Sequence, residues 1–372
     1  MQPREAATAA TAATRQPAQT LVTPAASSRG SDYAQLSRLI RQAGLMERRP
    51  GRYAWLITGT VFLLAAGWAS FVLIGDSWWQ LAVAAFLAIV FTQLGFLGHD
   101  AGHKQITGSR RASDALGLLV GNLGIGLSYG WWVSKHNRHH AHPNTEGVDP
   151  DVAIGALAFT PGAAAGSRGL ASILYRYQAY LFFPLLFAEA LSLHVSSIRG
   201  LVKRSAKNRL AESALLTAHL VGYLAVVFLV LPPVKAVVFI AVQQGLFGLY
   251  LGISFAPNHK GMPILDAADQ SDFLRRQVLT SRNVNGSWLT DLALGGLNYQ
   301  IEHHLFPSMP RANLRRAQPI VREYCRQLAV PYCQASLMAS YATVLWHLDS
   351  VGRNARPGPR HDPPVAQSDP PS

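Results

Sequence analysis

The sequence predicts an all-α integral membrane protein: four transmembrane helices in two hairpins, interfacial helices beside them, and a helical cap on the cytoplasmic side. Three observations carry that prediction. Only 14% of the 372 residues are charged and 49% are apolar or aromatic, whereas about a quarter of a soluble domain is charged. Four stretches reach the roughly 20 apolar residues that a helix needs to cross a bilayer. The basic residues, which give a net charge of +13, sit at the ends of those stretches. A nucleic-acid binder would instead gather them on one solvated stripe, so no nucleic-acid partner is expected.

The elements follow in chain order. Residues 1–32 are Ala, Thr, Ser and Pro with three arginines; they lack the apolar run of a secretory signal and are expected to be a disordered tail. The transmembrane domain is expected over 33–350. Its first hairpin is 53–75 and 80–98, joined by Asp76-Ser77-Trp78-Trp79, whose tryptophans suit a membrane interface. Its second is 210–231 and 234–256, joined by Pro232-Pro233, a place where a helix junction tolerates proline. Two further apolar stretches, 115–132 and 177–198, have basic residues at both ends and polar or glycine interruptions, so both are expected to be interfacial or re-entrant. Counting them as spans gives a six-helix alternative. Residues 313–329 have the spacing of an amphipathic helix with Leu314, Ile320, Val321 and Leu328 inward. The chain is expected to end in a second disordered tail, 351–372, rich in proline.

Charge bias sets the orientation. Arg38, Arg41, Arg48, Arg49 and Arg52 precede the first span, and Lys203, Arg204, Lys207 and Arg209 precede the third. By the positive-inside rule these flanks are cytoplasmic, which places both termini on the cytoplasmic side of the cell membrane. Cys325 and Cys333 form no C-x-x-C pair and are expected to be plain core residues in a reducing compartment.

Seven of the 13 histidines fall in three five-residue windows: His99 and His103 in HDAGH, His136, His139 and His140 in HNRHH, and His303 and His304 in QIEHH. Helical residues at i, i+3 and i+4 share one face, so each window aims two or three ring nitrogens at one point. Three converging faces make a metal site. Imidazole suits zinc, copper, iron or nickel. A structural zinc takes four ligands, fewer than these windows supply, so two metal ions are the expected stoichiometry. The H-E-x-x-H pattern of zinc proteases is absent. Isolated histidines carry less weight. His194, His347 and His361 are expected to be ordinary hydrogen-bonded residues, His142 is left outside the site, and His219, inside the third span, is expected to bond Gln243 or Gln244.

The windows, their order and their placement around two hairpins resemble the three histidine boxes of the integral-membrane fatty acid desaturases. The longer runs HNRHHAHPNTEGVDPD (136–151), FAPNHKGMP (255–263) and GGLNYQIEHHLFPSMPR (295–311) resemble the actinobacterial acyl-CoA desaturase branch in particular, and the likeness covers about residues 50–345. The resemblance implies two iron ions that use dioxygen to desaturate a fatty acyl chain, most simply as acyl-CoA. It also implies His259 as an eighth ligand and an active site on the cytoplasmic side. Asp100, Asp149, Asp151 and Glu302 are then candidates to orient the ligating imidazoles, with Asn258 and Asn298 as weaker ones. The third window begins with Gln300 where many family members have histidine; its amide can bind a metal through oxygen or orient a water. A Δ9 product, which the branch implies, is expected over the Δ6-type product that the glutamine suggests. No His-Pro-Gly-Gly haem signature occurs, so electrons are expected from a separate ferredoxin or flavin reductase. Ala84, Ala88, Gly245, Gly248 and Gly252 are candidates to line an acyl tunnel or, as Gly248 and Gly252 form G-x-x-x-G, to pack helices closely. Lys104, Lys135 and Arg138 are candidates for coenzyme A phosphates. The alternatives are a related di-iron membrane hydroxylase and, from another class, a histidine-rich metal transporter.

Overall fold

The computed structural model describes residues 31–153, 155–203 and 208–355. Most of the two expected tails, 1–30 and 356–372, and the flanking Arg204 and Lys207 lie outside the described residues. The folded part extends slightly past its expected limits. Ser31 caps helix α1 (Asp32–Gln42) through its side chain. At the other end, the final helix runs through Gly352 into a turn at Arg353–Ala355, with Val351 and Ala355 buried.

The four expected spans are helices α2 (Pro50–Ile74), α3 (Gln80–Gly102), and, after the intervening elements described below, two more. Helix α3 runs four residues beyond the expected end at 98, because His99 and Asp100 are buried beneath the cap and do not mark a solvent boundary. It is the central span: 56% of its apolar window is buried against 17% for α2. The outward face of α2 presents Trp55, Phe62 and Leu73.

The stretch expected at 115–132 is a broken element. Helix α4 (Arg110–Leu118) continues into a π-helical turn (Leu119–Gly124), and the chain then turns by 114° into α5 (Tyr129–Ala141). Gly126 adopts φ +70 at the break, a backbone state that favours glycine. The carbonyls released there find side-chain donors, as broken backbone at membrane depth requires. His219 Nδ1 donates to Leu123 O at 2.8 Å, and His194 Nδ1 donates to Gly126 O at 2.8 Å. This corrects the expected partner of His219: Gln244 bonds His194 instead, and Gln243 accepts from Tyr223 Oη. Buried Glu212 accepts from Ser128 Oγ and the Gly130 N–H, which ties the break to the third span.

Two short helices, α6 (Pro161–Ala165) and α7 (Leu170–Arg176), lead to the second interfacial stretch. It too is broken, into α8 (Gln178–Leu186) and α9 (Glu189–Val202), bent by 72°. The second hairpin follows as α10 (Arg209–Val230) and α11 (Pro233–His259). The α8–α9 bend seats on α11 through glycines. A Cβ at Gly248 would lie 2.6 Å from Ala190 N and 2.8 Å from Leu186 O, and one at Gly252 would strike the Leu186 side chain. Of the two roles open to these glycines, close helix packing is the one observed. Ala84 and Ala88 are likewise packed in apolar clusters, with Phe71 and Phe239 and with Phe91 and Phe247 respectively.

The cap is built from α12 (Phe273–Leu279), strand β1 (Asn283–Val284), α13 (Trp288–Ala293), α14 (Gln300–Leu305), α15 (Arg311–Gln327), strand β2 (Gln334–Ala335) and α16 (Leu337–Gly352). Strands β1 and β2 pair in parallel, Asn283 opposite Gln334. Leu36, Ile40, Leu274, Ile301, Leu314 and Val321 form the cap's core, and Ile320 and Leu328 pack against it. The amphipathic helix expected at 313–329 is therefore α15, facing as expected. Cys325 and Cys333 are free, and only Cys325 lies in the core as expected, Cys333 being half-buried.

Candidate metal centre

Each histidine window is positioned by a helix end. The last turn of α3 presents His99, with His103 as its C-cap. Helix α5, started by the Ser128 cap, presents His136, His139 and His140. The end of α11 presents His259, and α14 presents His303 and His304. All eight expected ligands come together. Ring nitrogens of His99, His103, His136 and His303 lie within 4.8 Å of one another, and so do those of His139, His259 and His304. His140 belongs to neither group and sits between them: its ring stacks on His304 at 4.2 Å and lies 4.6 Å from His103 and 4.8 Å from His303.

The outer nitrogens are tied down so that the inner ones face the centre. His139 Nδ1 donates to Asp149 Oδ2 at 2.9 Å, His259 Nδ1 to Thr280 O at 3.0 Å, and His304 Nδ1 to Gln277 Oε1 at 2.8 Å. With Nδ1–H turned outward, each Nε2 keeps a lone pair directed inward, as metal-bound imidazoles do. Asp149 is itself fixed by the N–H groups of Asn144 and Asp151. Asp100 faces His99 Nδ1 at 3.4 Å, and Asp151 faces His139 Nδ1 at 3.5 Å. Burial works against the Asp151 carboxylate, yet the ammonium groups of Lys135 and Lys260 outweigh it and hold its pKa below the usual range.

The inner nitrogens are crowded and unsatisfied. His136 Nε2 lies 2.9 Å from His103 Nε2 and 3.1 Å from His140 Nε2. His99 Nε2, His140 Nδ1, His304 Nε2 and both nitrogens of His303 are buried without a hydrogen-bond partner. Leaving such groups unsatisfied costs about 1–3 kcal/mol each. Burial first, then neighbouring imidazoles, lowers the pKa values of His303 and His304 well below 6.5, so both rings are neutral donors at pH 7. Buried neutral imidazoles with free lone pairs fit metal ions in both groups, and their softness suits iron among other transition metals.

Two expected orienting residues act differently. Glu302 touches no imidazole among the described residues. Its oxygens accept from Asn283 Nδ2 and Tyr332 Oη, both at 2.7 Å, and burial pushes its pKa up to about 7. Asn283 Oδ1 also accepts from the Ile301 N–H, so this carboxylate locks α14 to β1 and positions His303 through the backbone. Asn258 donates to Gln300 Oε1 at 3.2 Å, and Gln300 Nε2 lies 2.9 Å from His259 Nε2. The Gln300 amide thus stands beside the second nitrogen group.

Several supporting residues escape sequence reasoning. Arg311 pairs with buried Asp100 behind His99, and its backbone N–H reaches Gln105 Oε1, which also accepts from Tyr53 Oη. Gln277 and Thr280 orient the His304 and His259 rings from α12 and its end. None of these follows a spacing rule, because each acts across more than twenty residues of chain or through a backbone carbonyl. Two expected phosphate-binding cations are already paired: Lys104 with Asp114, and Lys135 with Asp151.

Four apolar spans with a buried polyhistidine cluster at their ends fit a multi-pass membrane protein whose histidines could hold metal ions. The profile of the fatty acid desaturase family matches residues 76–336, and the chain belongs to that family. It is 32% identical over 284 residues to an acyl-lipid (9-3)-desaturase of Physcomitrium patens, covering 74% of this chain and 54% of that protein. It is 33% identical over 293 residues to the delta(6)-fatty-acid desaturase fat-3 of Caenorhabditis elegans, covering 74% and 66%. With a delta(8)-fatty-acid desaturase of Helianthus annuus it shares 28% identity over 347 residues, covering 87% and 74%. The chain spans between about half and two thirds of the length of the first two. These relatives' names give no support to the expected Δ9 position.

Proposed function

We propose that the protein is a di-iron acyl-lipid desaturase that places a cis double bond on the carboxyl side of Δ9, in a Δ6- or Δ8-type position. The observation that carries this reading is the pair of buried nitrogen groups, seven imidazoles plus the intervening His140, in a member of the desaturase family. The reaction balances as –CH2–CH2– with dioxygen, two electrons and two protons giving –CH=CH– and two waters. Two bound iron ions supply the oxidising power with dioxygen. His99, His103, His136 and His303 hold one, and His139, His259 and His304 the other, with His140 between them. Asp149, Gln277 and Thr280 keep the ligand rings in register. The apolar spans and the buried cap exclude water from the reacting carbons.

The regiochemistry follows the Δ6, Δ8 and 9-3 positions named for the relatives, and Gln300 at the head of the third box agrees with it. An acyl lipid is preferred to acyl-CoA because a relative is named an acyl-lipid desaturase, and two of the three expected phosphate-binding cations, Lys104 and Lys135, are paired with Asp114 and Asp151 while Arg138 remains exposed. The electrons come from a separate ferredoxin or flavin reductase on the cytoplasmic face, where both termini and the metal centre lie by the charge bias of the spans.

Lipid analysis of a host expressing the chain with a compatible reductase tests the reading. New double bonds at Δ6 or Δ8, in lipid-bound chains, are expected. A Δ9 product would overturn the regiochemistry, hydroxylated chains would replace desaturation with hydroxylation, and products confined to acyl-CoA would overturn the carrier.

A further inference from the structure

Helix α13 (Trp288–Ala293) buries none of its residues. Trp288, Leu289 and Leu292 are 68%, 56% and 48% exposed, and at i, i+1 and i+4 they share one side of the helix. Its other side is polar and faces the cap: Asp291 Oδ1 accepts from Asn298 Nδ2 at 2.9 Å, and Asp291 Oδ2 lies 3.8 Å from Arg315. An exposed apolar face of this kind needs an occupant.

The occupant follows from where α13 rests. Gln93 Nε2 on α3 donates to Leu292 O at 3.4 Å, and Tyr250 Oη on α11 donates to Ala293 O at 2.7 Å. Gly295, at φ +60, lets the chain press onto α3, since a Cβ there would lie 2.5 Å from the Phe96 ring. Gln93 is six residues before His99, and Tyr250 nine before His259, so these contacts fall roughly 9 and 13 Å along the spans from the histidines, toward the bilayer interior. Gln93 also continues the outward stripe of Phe86 and Ile89, which are 37% and 51% exposed and stand seven and four residues before it. The apolar side of α13 is therefore continuous with the lipid-facing surface of α3. A short helix with a tryptophan and leucines on one face and a charged residue on the other is suited to the headgroup and acyl boundary.

We infer that α13 is a membrane-seated lip on the metal centre: Trp288, Leu289 and Leu292 are immersed in the acyl layer, and membrane-held acyl chains reach the histidine cluster past this helix. The chain from α13 leads in seven residues to Gln300 and the third histidine window, so the lip and the ligands are one continuous segment. The access half of the inference rests on the proposed desaturase function; the seating of α13 in the bilayer does not.

The test uses the full-length, iron-loaded protein in phosphatidylcholine vesicles, with Cys325→Ala and Cys333→Ser and a bimane fluorophore on Leu289→Cys. Doxyl groups on the lipid acyl chains are expected to quench the label, and aqueous iodide to leave it bright. Quenching by iodide without quenching by doxyl lipids would overturn the seating. For access, Leu289→Asp is expected to raise the membrane concentration of acyl lipid needed for half-maximal rate several-fold, with iron content and maximal rate unchanged. An unchanged half-saturation value would overturn it. The fluorescence needs no turnover, so a failed desaturation assay would count against the proposed function and leave the lip standing.

Discussion

His139→Ala and His303→Ala each abolish double-bond formation while the protein stays in the membrane at parental levels. Both rings are buried at the centre, one from each nitrogen group. Loss of a residue that merely orients a ligand costs about 10–100-fold in metal affinity or activity, and loss of the ligand itself exceeds that. The four unbroken apolar spans contain neither residue, so membrane insertion is expected to be unaffected. Lipid analysis of hosts expressing each variant beside the parent checks the result. Full activity in either variant would remove that histidine from the site.

Arg311→Ala has the second large effect, on stability and metal retention together. Asp100 is buried and faces both Arg311 and His99. Removing the guanidinium strands a buried carboxylate, which costs about 3–5 kcal/mol, and frees Asp100 from the geometry in which it meets His99 Nδ1. The purified variant is expected to unfold at a markedly lower temperature and to lose iron during dialysis. The double variant Asp100→Asn with Arg311→Gln recovers much of the stability, because no unpaired charge remains. A single variant as stable as the parent would show that the pair carries little.

The spans and the convergence of the histidines were legible in the sequence for physical reasons that act locally. A run of about 20 apolar residues has few folded alternatives to crossing a bilayer, and histidines at i, i+3 and i+4 share a face whatever surrounds the helix. Where tertiary contacts decide, the sequence was mute. The stretches at 115–132 and 177–198 read as interfacial or re-entrant, and both are bent, by 114° and 72°; the place of the first break, at Gly126, was not legible, because distant His194, His219 and Glu212 satisfy the backbone groups released there. Helix α13 was not legible, because a six-residue segment leaves no period long enough to detect. Glu302 was placed beside the right histidines, but its partners Asn283 and Tyr332 come from elsewhere in the chain and turn it toward the cap.

Metal analysis of the purified protein tests the central claim most directly. Iron measured by mass spectrometry against protein concentration is expected at two ions per chain, falling in His139→Ala and in His303→Ala, where each change strikes a different nitrogen group. One ion per chain, zinc in place of iron, or an iron content untouched by both substitutions would contradict a di-iron centre built from these histidines.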